Sequence, residues 1–152
     1  MLPADLPEVE RIGEAVHADF PERPEVFIER LALFAEGCWV TEGGYAIAHP
    51  ARLGAPPSLD RLLGALPVEA EALHLHDVAL LPAMRGHGAG TAAVALLRGV
   101  AARHRLAWFS LVAVHGAARY WARFGFSEAT PADLSALASY GADARYMLAP
   151  AA

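Results

Sequence analysis

Apolar residues near the start of the chain recur at helical spacing: Val9, Ile12, Val16 and Phe20 fall three or four positions apart. Asp5 precedes the run with Glu8 three residues on, as in a capping box, and Pro21 ends it. A second helix is expected over about 24–36, with Phe27, Leu31 and Phe34 on one face and Gly37 as its stop. Cys38–Thr41 and Tyr45–His49 flank Glu42-Gly43-Gly44, the pattern of a tight hairpin. Residues 50–72 carry Pro50, Pro56, Pro57 and Pro67 and are the least regular stretch, with a short helix expected around Leu59–Leu66. Leu73–Leu81 predicts a strand closed by Pro82, and Gly88–His104 a strong helix rich in Ala and Leu. Leu106–Val114 is almost continuously apolar, as in a strand buried on both faces. Gly116–Phe124 predicts a helix stopped by Gly125, and Arg145–Leu148 a closing strand. Strand–helix–strand–helix over 73–126 implies a parallel crossover within an α/β domain. No repeat or linker divides the chain, so a single domain is expected over 1–152.

Composition narrows the function. Of 152 residues 55% are hydrophobic and the mean hydropathy is +0.30, which excludes intrinsic disorder. A net charge of −5 argues against nucleic acid, whose binding rests on neutralising phosphates. The longest uncharged run, Leu106–Ala118, is too short to span a membrane, and the acidic, Pro-containing Met1–Glu10 does not read as a signal peptide. A single cysteine, Cys38, excludes a disulfide framework and a Cys-based zinc site, and fits a reducing, cytoplasmic setting. All twelve cations are Arg, with no Lys, Asn or Gln anywhere. We read this as a coding bias; it also excludes a Walker-type phosphate loop, which needs its Lys.

The chemistry concentrates in Pro82-Ala83-Met84-Arg85-Gly86-His87-Gly88-Ala89-Gly90-Thr91, between a predicted strand and a predicted helix. Helix starts leave amides unpaired and favour negative charge, and glycines let a ligand approach the backbone, so a phosphate or pyrophosphate is the natural guest. A ligand-free Gly-rich turn is the bland alternative. A dinucleotide fingerprint is excluded: Thr91 stands where its third Gly would be, and no acid lies near Ala107-Trp108-Phe109.

The spacing of Arg85, Gly88 and Gly90 resembles the acetyl-CoA pyrophosphate loop of the GNAT N-acetyltransferase superfamily. Leu75–Pro82 is similar to the strand that precedes that loop. Val114–Phe126 is similar to the family's second signature, Asn-x-x-Ala-x-x-Phe-Tyr followed by Gly-Phe. The resemblance implies a mixed, mostly antiparallel sheet whose parallel fourth and fifth strands splay apart, flanked by helices. Acetyl-CoA would be the co-substrate, its pantetheine arm pairing with the backbone of Val78, Ala79 and Leu80. Its pyrophosphate would sit on the amides of Gly86, His87, Gly88, Ala89, Gly90 and Thr91, beside Arg85. An N–H near Leu80 would hold the oxyanion, and the amine would attack directly.

An amine of pKa near 10 is only about 0.1% neutral at pH 7, so a base is needed. Asp77 is the leading candidate, against a structural carboxylate as the alternative. His76 is second, and alternation places it on the opposite face of the strand. The family often supplies the leaving thiolate's proton from a Tyr at the last position of Phe-Tyr. Here the pair is Tyr120-Trp121, so Trp121 occupies that place and Tyr120, about 100° round the helix, is the acid candidate. His115 stands where the family has Asn and is a candidate contact for the CoA arm. His74 and His76 share a strand face, but no third ligand of suitable spacing is visible and no metal is expected. Cys38 reads as a small buried apolar group.

The family usually carries a strand before the first helix, for which this chain has almost no room. The sheet edge so exposed leads to an expectation of a homodimer. The reading is thus an acetyl-CoA-dependent N-acetyltransferase acting on a primary amine of a small molecule or peptide. The alternative is a non-catalytic acyl-CoA-binding or regulatory domain of the same fold.

Overall fold

Two apolar faces of one sheet, each covered by different helices, organise residues 1–152 of the computed structural model. Helices α1 (Leu6–Val16) and α2 (Pro24–Leu33) form over the predicted periodic runs. Val9, Ile12, Phe27 and Leu31 pack with Tyr45, Ile47 and Ala79 on one face. On the other, Val94, Leu97, Val100 and Ala101 of α3 (Ala89–Arg103) meet Leu73, Leu75, Phe109 and Leu111.

The strands are β1 (Cys38–Thr41), β2 (Gly44–Ala51), β3 (Ala72–Leu80), β4 (Trp108–Ala113), β5 (Ser127–Glu128) and β6 (Arg145–Pro150), in the order β1-β2-β3-β4-β6-β5. Every pairing is antiparallel except β3 with β4. This is the mixed, mostly antiparallel α/β sheet expected. No strand precedes α1, so the parallel pair is the third and fourth strands here. Short helices α4 (Ala118–Ala122) and α5 (Leu134–Ala138) follow β4 and β5. No helix is long and apolar enough to cross a membrane. At the β1 edge, the Met1 amino group donates to the Cys38 carbonyl at 3.1 Å, so the chain's own first residues cover part of it.

Three local expectations are corrected. Asp5 holds the N-cap position of α1 but its side chain does not cap the helix: it ends a 3₁₀ turn, and its carboxylate accepts from Leu2 N–H at 2.6 Å. No helix forms over 59–66. Asp60 and Gly64 take positive φ (55° and 73°), and carboxylates from elsewhere capture the amides a helix would need. Glu22 accepts from Asp60 N–H (3.0 Å), and Glu29 from Leu63 and Gly64 N–H (2.7 and 2.8 Å). The third correction is in β3. Ile47 pairs with Asp77 but Ala48 pairs with Leu75, so His76 is an extra, bulged residue. The bulge interrupts alternation, and His76 and Asp77 both turn toward the α1–α2 side, where His76 meets Glu22 and Asp77 meets His17 and Tyr45.

Gly37 shows how tightly the turn after α2 lies on β2: a Cβ there would overlap the Ala48 carbonyl. Gly37→Ala is expected to cost about 1–3 kcal/mol, as overpacking does. Urea unfolding checks this, and an unchanged midpoint would contradict the close approach.

Candidate active site

β3 and β4 are in register only from Ala72–Leu75 against Trp108–Leu111. Beyond that they part, although β3 continues to Leu80 and β4 to Ala113. Leu81 N–H bonds the Gly43 carbonyl at 2.8 Å, which turns the backbone groups of Leu81 and Ala79 toward β2. Those of Val78 and Leu80 therefore face the gap. A cavity of about 770 Å³ occupies it. All the predicted site residues line this cavity except Ala79 and His87. Ala79 is buried in the α1–α2 core and His87 projects from the loop into solvent, so neither side chain contributes.

The Gly-rich loop ends at the start of α3. Gly86 and Gly88 have φ of +82° and +81°, a region L side chains avoid. No side chain caps α3, and its first backbone bond is Ala92 N–H to Gly88 C=O, so the amides of Ala89, Gly90 and Thr91 are free. They open a helix of fifteen aligned residues, whose start favours an anion. Arg85 folds back to donate from Nε to the Leu80 carbonyl at 3.1 Å, tying the loop to the strand.

Tyr120 directs its hydroxyl at the start of α3. Its hydroxyl lies against Gly90, so closely that a Cβ there would collide with it. That is the α3 end of the cavity, with Arg123 stacked over the ring at 5.9 Å. Trp121 packs against Phe126 and Phe124 and offers no titratable proton.

At the other end are groups that sequence reasoning missed. Asp77 Oδ2 accepts from the Tyr45 hydroxyl at 2.5 Å, and Oδ1 lies 3.0 Å from His17 Nε2. The second contact is an ion pair more than an aligned hydrogen bond. Burial works against the Asp77 charge, but His17 and the Tyr45 hydroxyl outweigh it and hold the carboxyl below its ordinary value. Burial likewise disfavours charged His17, yet Asp77, with help from the Val78 carbonyl and Glu22, leaves its pKa raised. The ion pair therefore persists from below pH 3.8 to above pH 6.5. His76 Nε2 sits 2.9 Å from Glu22, with both side chains almost enclosed. Nothing in the local sequence around His17 or Tyr45 marks them, because the fold, not the spacing, brings them to Asp77.

His115 sits at the opposite lip with φ of +51°, its ring edge-on to Phe20 at 4.7 Å and its Nε2 3.7 Å from Asp19. Phe20 and His115 thus bridge the cavity's two walls. His74 is buried with Nδ1 2.9 Å from Ser110 Oγ. No group of three or more His, Cys, Asp or Glu is arranged to hold a metal ion. Cys38 is buried, and burial pushes its thiol up to about 11, which makes it a poor nucleophile.

Comparison with known proteins agrees with this geometry. No curated protein matches the chain. Among solved structures it is similar to Rv2747 from Mycobacterium tuberculosis in complex with CoA and NLQ (18% identity, 97% of this chain and 94% of that chain, TM-score 0.65). It is also similar to the ribosomal-protein-S18-alanine N-acetyltransferase from Escherichia coli (20%, 100% and 91%, 0.65). A third is the GphF GNAT-like decarboxylase in complex with isobutyryl-CoA (16%, 100% and 97%, 0.68). At such identities the likeness carries the fold alone. The profile of the Acetyltransferase (GNAT) family matches residues 15–126, from the end of α1 through the Gly-rich loop to Gly125-Phe126. With most of its length inside that match, the chain belongs to the GNAT acetyltransferase family.

Proposed function

We propose that the chain is an acetyl-CoA-dependent N-acetyltransferase that moves acetyl onto a primary amine of a small molecule or peptide. The observation that carries this is one continuous cavity, running from the uncapped start of α3, through the gap between β3 and β4, to the Asp77–His17 pair. The pyrophosphate sits on the free amides of Ala89–Thr91, and the pantetheine arm pairs with the gap-facing backbone of Val78 and Leu80. Leu80 N–H then polarises the thioester carbonyl and holds the oxyanion as the amine attacks. Solved neighbours bound to CoA and isobutyryl-CoA, and one that acetylates ribosomal-protein-S18 alanine, support the donor and the reaction class. A second reading, a binding domain without turnover, draws on the Trp121 and Tyr120 positions. A homodimer in the cytoplasm is carried forward as part of the proposal, with sedimentation as the test of the dimer.

Melting temperature with acetyl-CoA, CoA and NAD, followed by CoA release on a panel of amines, tests the proposal. Stabilisation by the CoA species alone with turnover on an amine is expected. Stabilisation without turnover on any amine favours the binding domain, and no stabilisation sinks both. The chain has no Lys, so no lysine self-acetylation clouds the assay. Gly88→Ala probes the loop: a Cβ at Gly88 meets nothing within 4 Å, so its effect is conformational. Holding Ala at φ near +81° costs about 1–2 kcal/mol, and acetyl-CoA affinity should fall roughly tenfold by titration calorimetry.

A further inference from the structure

We infer that His17 is the general base that takes the proton from the acceptor amine, with Asp77 as the residue that positions it. The inference rests on the N-acetyltransferase reading and assigns the role that sequence alone gave to Asp77.

Asp77 is badly placed to act directly. One of its oxygens faces His17 and the other accepts from Tyr45, and its side chain is only 15% exposed. His17 lines the same cavity with 23% of its side chain exposed. Its Nε2 is fully buried beside Asp77, so the exposure belongs to the rest of the ring, where Nδ1 sits. The backbone at this position is fixed on both sides: His17 N–H donates to Gly13 C=O (2.7 Å), and Phe20 N–H donates to His17 C=O (2.8 Å). The imidazole is thus held by its backbone and by the Asp77 contact at Nε2, with the Val78 carbonyl as its other polar neighbour, and the rest of its ring faces the cavity where the amine arrives.

The alternatives are excluded by geometry. His76 is 1% exposed and engaged with Glu22. Tyr45 is buried, and burial together with the neighbouring Asp77 raises its pKa further. His115 stands across the cavity with Phe20 and Asp19. The groups acting on His17 are Asp77 and the Val78 carbonyl from β3 and Glu22 from the α1–α2 connection. Their carboxylates favour an amine arriving as its ammonium ion.

In the step, neutral His17 removes one proton from the bound ammonium. The freed lone pair attacks the thioester carbon, a C–N bond forms, and the carbonyl electrons move to the oxygen held by Leu80 N–H. Their return breaks the C–S bond. The nitrogen's second proton passes through water to the leaving sulfur, and His17 later gives its proton to solvent. One ammonium and one thioester become one amide, one thiol and one released proton.

The test is the pH profile of kcat for CoA release. In the wild type kcat should fall toward acid with a midpoint above 6.5, matching the His17 pKa measured by NMR. His17→Gln should lower kcat about 10²–10³-fold and abolish that midpoint, with acetyl-CoA affinity unchanged. Asp77→Asn should move the midpoint to lower pH, and free imidazole should restore part of the rate of His17→Ala. A His17→Gln enzyme that binds acetyl-CoA and keeps kcat within threefold, or keeps the acid limb, overturns the inference alone. Should that variant not bind acetyl-CoA, the wild type decides: a kcat midpoint that differs from the NMR pKa of His17 overturns it. Wild-type protein that binds no acetyl-CoA, or turns over no amine, overturns the N-acetyltransferase reading and this inference with it.

Discussion

Arg30→Ala should lower stability by about 3–5 kcal/mol, as removing one partner of a buried ion pair does. At this chain length that is a fall of roughly 6–20 °C in melting temperature. Arg30 is completely buried. Its guanidinium pairs with the Glu29 carboxylate and donates to the Arg61 carbonyl at 2.8 Å. Burial pulls its pKa down, and Glu29 with Glu22 works to hold it up. Glu29 uses its two oxygens on the amides of Leu63 and Gly64, so α2 clamps the 60–64 loop by both carbonyl and amide. Leu59, just before the clamp, lines the cavity. The loss should therefore reach function as a raised KM for the amine with acetyl-CoA affinity intact. Arg30→Met restores the stem's packing but not its hydrogen bonds, and should recover only part of the stability. Full recovery by Met would show that packing alone holds the loop.

Stability should also fall steeply on mild acidification, before the carboxylates titrate. His49 and His74 are 2% and 1% exposed, side by side with ring centroids 5.4 Å apart. Burial, with the neighbouring His76, lowers the His49 pKa to about 3 and puts that of His74 well below its ordinary 6.5. The unfolded chain binds protons at these positions below about pH 6.5 and the folded chain does not, so stability drops as pH falls. From pH 7.5 to 5 the cost is about 2 kcal/mol per histidine, or about 4 kcal/mol for the pair. His17 acts in the opposite sense, because its raised pKa favours the folded form until pH climbs through it. Urea unfolding at the two pH values measures the difference, and His49→Gln should remove about half of it. A flat pH dependence would mean that these rings take up protons in the fold as readily as in the unfolded chain.

The legible part of this protein was the part written in short-range pattern. β3, the Gly-rich turn, α3 and β4 follow one another in sequence, each with its own period or punctuation. The loop and the α/β class therefore came from the pattern of residues 73–126, and the mixed sheet from the family resemblance those residues carry. The 60–64 loop could not, because its shape depends on Glu22, Glu29 and Arg30, whose carboxylates and guanidinium replace the bonds a helix would have made. The bulge at His76 was equally hidden. It exists only in the register of β3 on β2, and it put Asp77 on the side of His76 where alternation had set them on opposite faces. Asp77 was found as a candidate, but its partners Tyr45 and His17 lie on other elements. Their contacts are what bears on the choice between a base and a structural carboxylate, and no local pattern carries them. Tyr120 shows the converse: a motif gave its helix, and only the packing against Gly90 showed where its hydroxyl goes.

The short seam between β3 and β4 has a mechanical consequence. Four residue pairs, Ala72–Leu75 with Trp108–Leu111, are the only ladder joining the β1–β2–β3 half of the sheet to the β4–β6–β5 half. Strand to strand, the two halves are joined along that one short edge, with α3 packed across both. A ligand arm pairing with the open backbone of β3 would act as a wedge that also sews, filling the mouth of the gap and stiffening it. Each half would then feel, through that edge, whether the other is loaded.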